Sequence, residues 1–199
     1  MDREENIMKP IIIFDMYGVI IKESKGNFIP YVYTHFPNTD RSLIRFSATQ
    51  KGEITADEFI TALGFTDSEA VTRDYIENYL TFNSDFITFA EKFKDKYDYI
   101  LLSNDVLEWS KYITSHYDLD KYFTHKIVSG DVGFRKPDKE MFELAVSKRD
   151  TDYIFIDNSV RNLSAAAEFG IRPILFNCDN EVYDGETVYS FAELERIIS

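Results

Sequence analysis

The chain has 199 residues, with 35 Asp and Glu against 22 Lys and Arg, and a formal charge of −13 that no Lys/Arg-rich run interrupts. Such a field repels phosphate backbones and anionic bilayers, so no nucleic-acid or membrane partner is expected. Hydrophobic residues reach 44% and aromatic residues 16%, enough to build a sizeable core and too much for a disordered chain.

The short charged stretch 1–6 leads directly into the first apolar run. No signal-peptide pattern and no bilayer-spanning stretch is visible, so a cytoplasmic location is expected. The single cysteine, Cys178, allows no internal disulfide, fits a reducing compartment and reads as a small apolar filler. Ile11-Ile12-Ile13-Phe14 ends on Asp15, and Gly18 follows three positions later. A run bounded in this way predicts a buried parallel strand. Its Asp then sits at the strand's carboxyl end, where ligands collect in open α/β sheets. A carboxylate there can act as a nucleophile toward a phosphoryl or alkyl centre.

Residues 22–89 break the strand rhythm and predict helices at 40–49, 55–62 and 67–79. Thr55-Ala56-Asp57-Glu58 has the form of a capping box, with Thr55 as N-cap. Connections in α/β units usually take a few residues. This insertion is therefore placed to cover a site at the sheet edge as a lid. From residue 98 strand and helix alternate. Tyr99-Ile100-Leu101-Leu102 ends in Ser103-Asn104, and residues 106–116 have helical spacing. Residues 126–129 form a short strand candidate, and Pro137 can open a helix through Val146. Tyr153-Ile154-Phe155-Ile156 ends on Asp157; a helix over 161–169 stops at Gly170; 172–176 and 191–198 predict a strand and a closing helix. The expected fold is α/β, a Rossmann-like doubly wound parallel sheet from residues 1–21 and 90–199, with a small all-helical cap from residues 22–89.

Four polar features then fall at strand ends or in the loops after them: Asp15, Ser103-Asn104, Lys136 and Asp157-Asn158. If the sheet closes as read, they meet around one cleft. Singly, each has a plainer reading: turn residues, a solvated lysine, a helix N-cap.

Phe14-Asp15-Met16-Tyr17-Gly18-Val19 resembles the first motif of the haloacid dehalogenase superfamily, hydrolases that are mostly phosphatases. Leu101-Leu102-Ser103-Asn104 resembles its second motif, and Gly133-Phe134-Arg135-Lys136-Pro137-Asp138 its third. The stretch from Phe155-Ile156-Asp157-Asn158-Ser159 through Val160-Arg161-Asn162-Leu163 is similar to the acidic fourth motif of phosphatase-type members. Lys51-Gly52-Glu53-Ile54-Thr55, before Phe59, is similar to a segment of their helical caps. The resemblance implies Asp15 as nucleophile, Ser103 as donor to a substrate oxygen, and Lys136 as the holder of negative charge. It also implies substrate contacts at Gly18 and Asn104. Mg²⁺ is the implied cofactor, on Asp15, the Tyr17 backbone carbonyl, and Asp157 or Asn158. The expected partner is a small anionic substrate, and the expected state a monomer or homodimer.

Two positions depart from the phosphatase pattern. Tyr17 stands where a second Asp usually serves as general acid and base, a step that contributes about 10²–10⁴-fold. Asn158 stands where a second metal-binding Asp is frequent. Tyr17 is similar to the metal-independent 2-haloacid dehalogenases, whose halide leaves without a proton, whereas Asp157 and Val19 are not. The expected activity is thus a Mg²⁺-dependent phosphatase acting through an aspartyl-phosphate. The alternatives are a 2-haloacid dehalogenase and a degenerate ligand-binding or regulatory protein. Arg41 or Arg45 can clamp a substrate carboxylate. Phe28, Tyr31, Tyr33, His35 and Phe46 are candidate substrate selectors in the insertion.

Overall fold

The computed structural model describes residues 8–36, 49–147 and 150–199. Six strands form one sheet: β1 Ile11–Phe14, β2 Asp98–Ser103, β3 Phe123–Val128, β4 Tyr153–Asp157, β5 Arg172–Phe176 and β6 Thr187–Val188. Their order is β3-β2-β1-β4-β5-β6, and every pair is parallel. The chain builds outward from β1 to one side, then returns to build outward on the other. That reversal places a switch-point crevice at the carboxyl ends of β1, β2 and β4. Phe14 lies opposite both Leu101 and Ile156, so Asp15 and Asp157 come level along one edge, with Ser103 one residue further on β2.

Side chains on β1 alternate between two cores. Ile11 and Ile13 pack with Met141 and Phe142 of helix Lys139–Val146 and Leu163 of helix Val160–Ala167. Ile12 and Phe14 pack on the other face. There Phe14 meets Phe86 and Phe89 edge-on, at centroid distances of 5.4 and 5.8 Å, and Phe191 at 6.2 Å. Phe86, Phe89, Ala90 and Phe93 form the buried stripe of helix Asp85–Phe93, the spacing an amphipathic helix needs. This helix runs through residue 89, the expected end of the insertion, and lies on the sheet.

Several sequence expectations recur as elements. Helix Ala56–Ala62 starts at Thr55 with both capping-box bonds, at 2.8 and 3.1 Å. Phe191–Ile198 is the closing helix. The 67–79 stretch divides into helix Ser68–Asp74 and a π-helical turn, Tyr75–Tyr79. Other features differ. Helix Phe28–His35 was not evident from the pattern, because Pro30 and a dense run of aromatics obscure the period; Pro is tolerated in a first turn. Strand β3 begins at Phe123 rather than at residue 126. Pro137 lies ahead of its helix, which opens at Lys139. Cys178 is exposed, not a core filler. The helix expected at 40–49, with Arg41, Arg45 and Phe46, lies outside the described residues but for Thr49. Among the described residues no helix is long and apolar enough to cross a membrane.

Residues 22–89 pack against the rest of the chain at several places. Phe28 packs 4.5 Å from Trp109, centroid to centroid. Gly52, at φ 70°, lies against Gly130, where a Cβ would fall 2.3 Å from a backbone oxygen, so only glycine fits.

Truncating Phe14 to Ala removes a ring that joins β1 to two helices. A loss of about 3–5 kcal/mol is expected in urea unfolding. The matched surface change Val182→Ala, at a side chain 92% exposed, should stay within about 0.5 kcal/mol.

Candidate active site

Beyond the carboxyl ends of β1, β2 and β4 lies a cleft of about 740 Å³. Asp15, Tyr17, Asn104, Lys136 and Asn158 line it, as do Phe28, Ile29 and Pro30 from the insertion. Asp15 and Asp157 extend from adjacent strands, and Lys136 comes between them from the loop before helix Lys139–Val146. Its Nζ is 2.8 Å from Asp15 Oδ1 and 2.7 Å from Asp157 Oδ2. All three side chains are nearly sealed from water.

Neutral donors hold the carboxylates. Asp15 Oδ1 also accepts the Met16 N–H at 2.7 Å, which leaves Oδ2 for the cleft. Asp157 gives both oxygens to the protein: Oδ1 accepts from Ser159 N–H at 2.8 Å, Oδ2 from Lys136, and Asn162 Nδ2 lies 3.2 Å from each. Burial pushes Asp15 up to about 7, with Lys136 opposing and Asp157 reinforcing that shift. Burial alone would lower the Lys136 ammonium, but its two carboxylates outweigh that and hold it above the ordinary lysine value.

Lys136 is itself fixed by Asn104. The Asn104 Oδ1 accepts the Lys136 N–H at 2.7 Å, and Nδ2 donates to the Lys136 carbonyl at 2.9 Å. The amide expected to touch substrate is therefore committed to the backbone of Lys136. Gln50, from the insertion, donates to the Asn104 carbonyl at 3.2 Å. Gly18 has φ 83° and gives its N–H to Ile21 O at 2.6 Å, so that N–H serves the turn. A Cβ at Gly18 would fall 2.5 Å from Asn158 Nδ2, so the Asn158 amide lies directly on the β1 loop. Ser103 is fully buried, is not among the residues lining the cleft, and its hydroxyl has no partner among the described residues.

Three contacts escaped the sequence reading. Asn162, which braces Asp157, stands five residues after it, about the reach of one helical turn beyond a strand end. Asp179 Oδ2 accepts from Asn158 Nδ2 at 3.1 Å; a loop after β5 brings it in, and no local pattern marks it. Asp105, directly after the Ser103-Asn104 pair, accepts the Tyr17 hydroxyl on Oδ1 at 3.0 Å, together with the Val106 N–H at 2.8 Å. Of the candidate selectors, Phe28 lines the cleft, and Tyr31 is buried with its hydroxyl on Asp74 at 2.7 Å. Tyr33 is half-buried and His35 exposed.

Burial raises the Tyr17 phenol well above its usual value, and Asp105 adds to the rise, so Tyr17 stays protonated. Asp105, 1% exposed and with Oδ2 unpartnered, is pushed by burial up to about 8, against the Tyr17 and Val106 hydrogen bonds. A carboxyl whose folded pKa exceeds its unfolded value binds more protons in the folded state. Stability then falls as pH rises from about 4 toward about 8. Asp105→Asn keeps an acceptor for Tyr17 and removes this slope. In urea unfolding at pH 5 and pH 8.5, the variant should lose less stability between the two than the parent; equal losses would count against a buried, proton-retaining Asp105.

The family model for haloacid dehalogenase-like hydrolases matches residues 10–170. Drimenol cyclase drtB of Aspergillus calidoustus is 26% identical over 156 residues, 67% of this chain and 28% of that protein. The chain thus spans less than a third of that relative's length. Among solved structures, a haloacid dehalogenase family enzyme of Bacteroides thetaiotaomicron, an Asp-to-Ala variant with magnesium and inorganic phosphate, superposes with a TM-score of 0.73 at 21% identity, over 89% of this chain and 98% of that one. A 2-haloacid dehalogenase of Pseudomonas syringae pv. Tomato DC3000 gives 0.69 at 12% identity, over 96% and 98%. At such identities the likeness is one of fold. With the family model covering most of its length, the chain belongs to the haloacid dehalogenase-like hydrolases.

Proposed function

We propose that this hydrolase cleaves small phosphate esters with Asp15 as nucleophile and Mg²⁺ as cofactor. The observation that carries the reading is the buried Asp15–Lys136–Asp157 triad with one oxygen of Asp15 left to the cleft. Asp15 Oδ2 attacks phosphorus, the ester oxygen departs, and an acyl phosphate forms. Water then displaces phosphate and regenerates the carboxylate. Lys136 keeps its charge beside Asp15 throughout; the Ser103 hydroxyl expected to donate to substrate is buried and does not line the cleft.

The donors present fit a Mg²⁺ site of the sparse kind. Among the described residues no three His, Cys, Asp or Glu side chains cluster to hold a metal. Mg²⁺ commonly takes only one or two carboxylates and keeps its waters. Asp15, the Tyr17 carbonyl and Asn158 Oδ1 would hold it, and Asp179 beside Asn158 supplies negative charge that the amide lacks. Asp157 was also expected as a ligand, but its oxygens are taken by Lys136, Ser159 and Asn162, so its part is to hold Lys136. When bound, the ion neutralises charge on the transferring group and orients it.

Tyr17 shapes the substrate range. Its proton is held toward Asp105 and its pKa is raised, so Tyr17 itself does not stand ready to protonate a departing alkoxide. Good leaving groups are therefore favoured. A second reading, metal-free halide displacement from a 2-halo acid, draws on the same residue, because a halide needs no proton.

Phosphate release should be measured from p-nitrophenyl phosphate and from an alkyl phosphate such as glycerol 3-phosphate. With Mg²⁺ present, the aryl ester should turn over about 10²-fold or more faster, the scale of a missing general acid. Asp15→Asn should abolish both. Halide release from 2-chloropropionate in a chelator, without phosphate release, would establish the second reading instead. Aryl phosphate turnover that survives Asp15→Asn would remove Asp15 from the chemistry.

A further inference from the structure

The triad and Asn158 account for one end of the cleft, but a cavity of about 740 Å³ is far larger than a phosphoryl group. Phe28, Ile29 and Pro30 give it an apolar wall, and two arginines, Arg135 and Arg161, reach the same space. Lys136 has no charge to spare, since two carboxylates already hold it.

Arg135 is half-buried, and its Nε is sealed without a hydrogen-bond partner. Among the described residues its guanidinium forms no ion pair. The neighbouring Asp138 takes the Arg135 backbone N–H at 3.0 Å rather than the side chain. Burial lowers the guanidinium pKa, with Asp138 countering, yet an arginine stays charged in a protein. A charge removed from water without a partner is unfavourable unless something else supplies one. The nearby acids do not: Asp179 accepts from Asn158, and Glu181 from the Val160 N–H at 3.1 Å. Arg161, at the start of helix Val160–Ala167, is likewise unpaired among the described residues, although it is exposed.

We propose that Arg135, with Arg161, forms a second anion subsite in the cleft, and that the substrate carries a second anionic group joined to the reacting phosphate by an apolar spacer. A guanidinium presents a planar fork that matches either a carboxylate or a phosphate. The spacer lies against Phe28, Ile29 and Pro30. The identity of the reacting group rests on the phosphoester reading above, whereas the subsite is read by binding.

The test uses the full chain carrying Asp15→Asn, to suppress turnover, and calorimetric binding of three compounds: phenyl phosphate, 4-carboxyphenyl phosphate and 1,4-phenylene bisphosphate. At least one doubly functional compound should bind about tenfold or more tighter than phenyl phosphate, the scale of a hydrogen bond to a charged group; which one does so names the second anion. Adding Arg135→Gln should erase that advantage while leaving phenyl phosphate within about twofold, and Arg135→Lys should retain part of it. Equal affinity for all three compounds, no binding by any, or an advantage that persists in Arg135→Gln overturns the subsite. The three-compound comparison decides it alone should the Gln variant fail to fold. Turnover of phenyl phosphate by the unaltered chain is scored separately: turnover without the binding advantage leaves Asp15 chemistry standing and removes the subsite, and the reverse result removes the phosphoester reading.

Discussion

Lys136 holds two carboxylates together in a place with almost no water. Its ammonium lies 2.8 Å from Asp15 and 2.7 Å from Asp157. Desolvating three charges is unfavourable, and attraction offsets it only when the remaining lone pairs are also satisfied. Apart from Asp15 Oδ2, which is left to the cleft, they are: Met16, Ser159 and Asn162 donate to the carboxylates, and Asn104 grips the Lys136 peptide from both sides. The sheet order is a condition for this. Asp15 and Asp157 can face one lysine because β1 and β4 are neighbours, and Asn104 can reach Lys136 because β2 flanks β1 on the other side. A lysine removed from this position would leave like charges facing each other in a dry site.

The insertion completes the arrangement. Gln50 fastens to the Asn104 carbonyl, and Gly52 lies flush on Gly130. The same residue that fixes Lys136 is thus tied to the covering segment. Phe28, packed on Trp109, turns an apolar surface toward the cleft. One side of the space is then polar and charged and the other apolar, the usual composition of a small-molecule site.

Asp15, Ser103 and Asp157 could be singled out in the sequence because an apolar run that stops on a polar residue marks a strand's carboxyl end, and the parallel sheet brings those ends to one edge; Lys136, in a loop after β3, was marked by its motif instead. Phe191–Ile198 was visible because its apolar spacing is undisturbed. The partners of these residues were not visible. Asp105, Asn162 and Asp179 matter through what they touch across the fold, and a hydrogen bond between distant segments leaves no local period. The commitment of Asn104 to the Lys136 backbone was hidden for the same reason: a lone Asn after a strand reads equally well as a turn residue or a ligand contact. Strand β6, two residues long, is shorter than any pattern that periodicity can resolve.

Positions 17 and 105 are best understood together. Asp105 is buried, and the field of Asp15 raises its pKa further. An aspartate at position 17 is several bonds shorter than the phenol and would not reach Asp105, where the Tyr17 hydroxyl now donates at 3.0 Å. Asp105 would then stay buried with one donor fewer, an unfavourable state for a polar group out of water. The phenol at 17 and the acid at 105 are therefore one arrangement, and returning an aspartate to position 17 alone would leave Asp105 without a side-chain donor among the described residues.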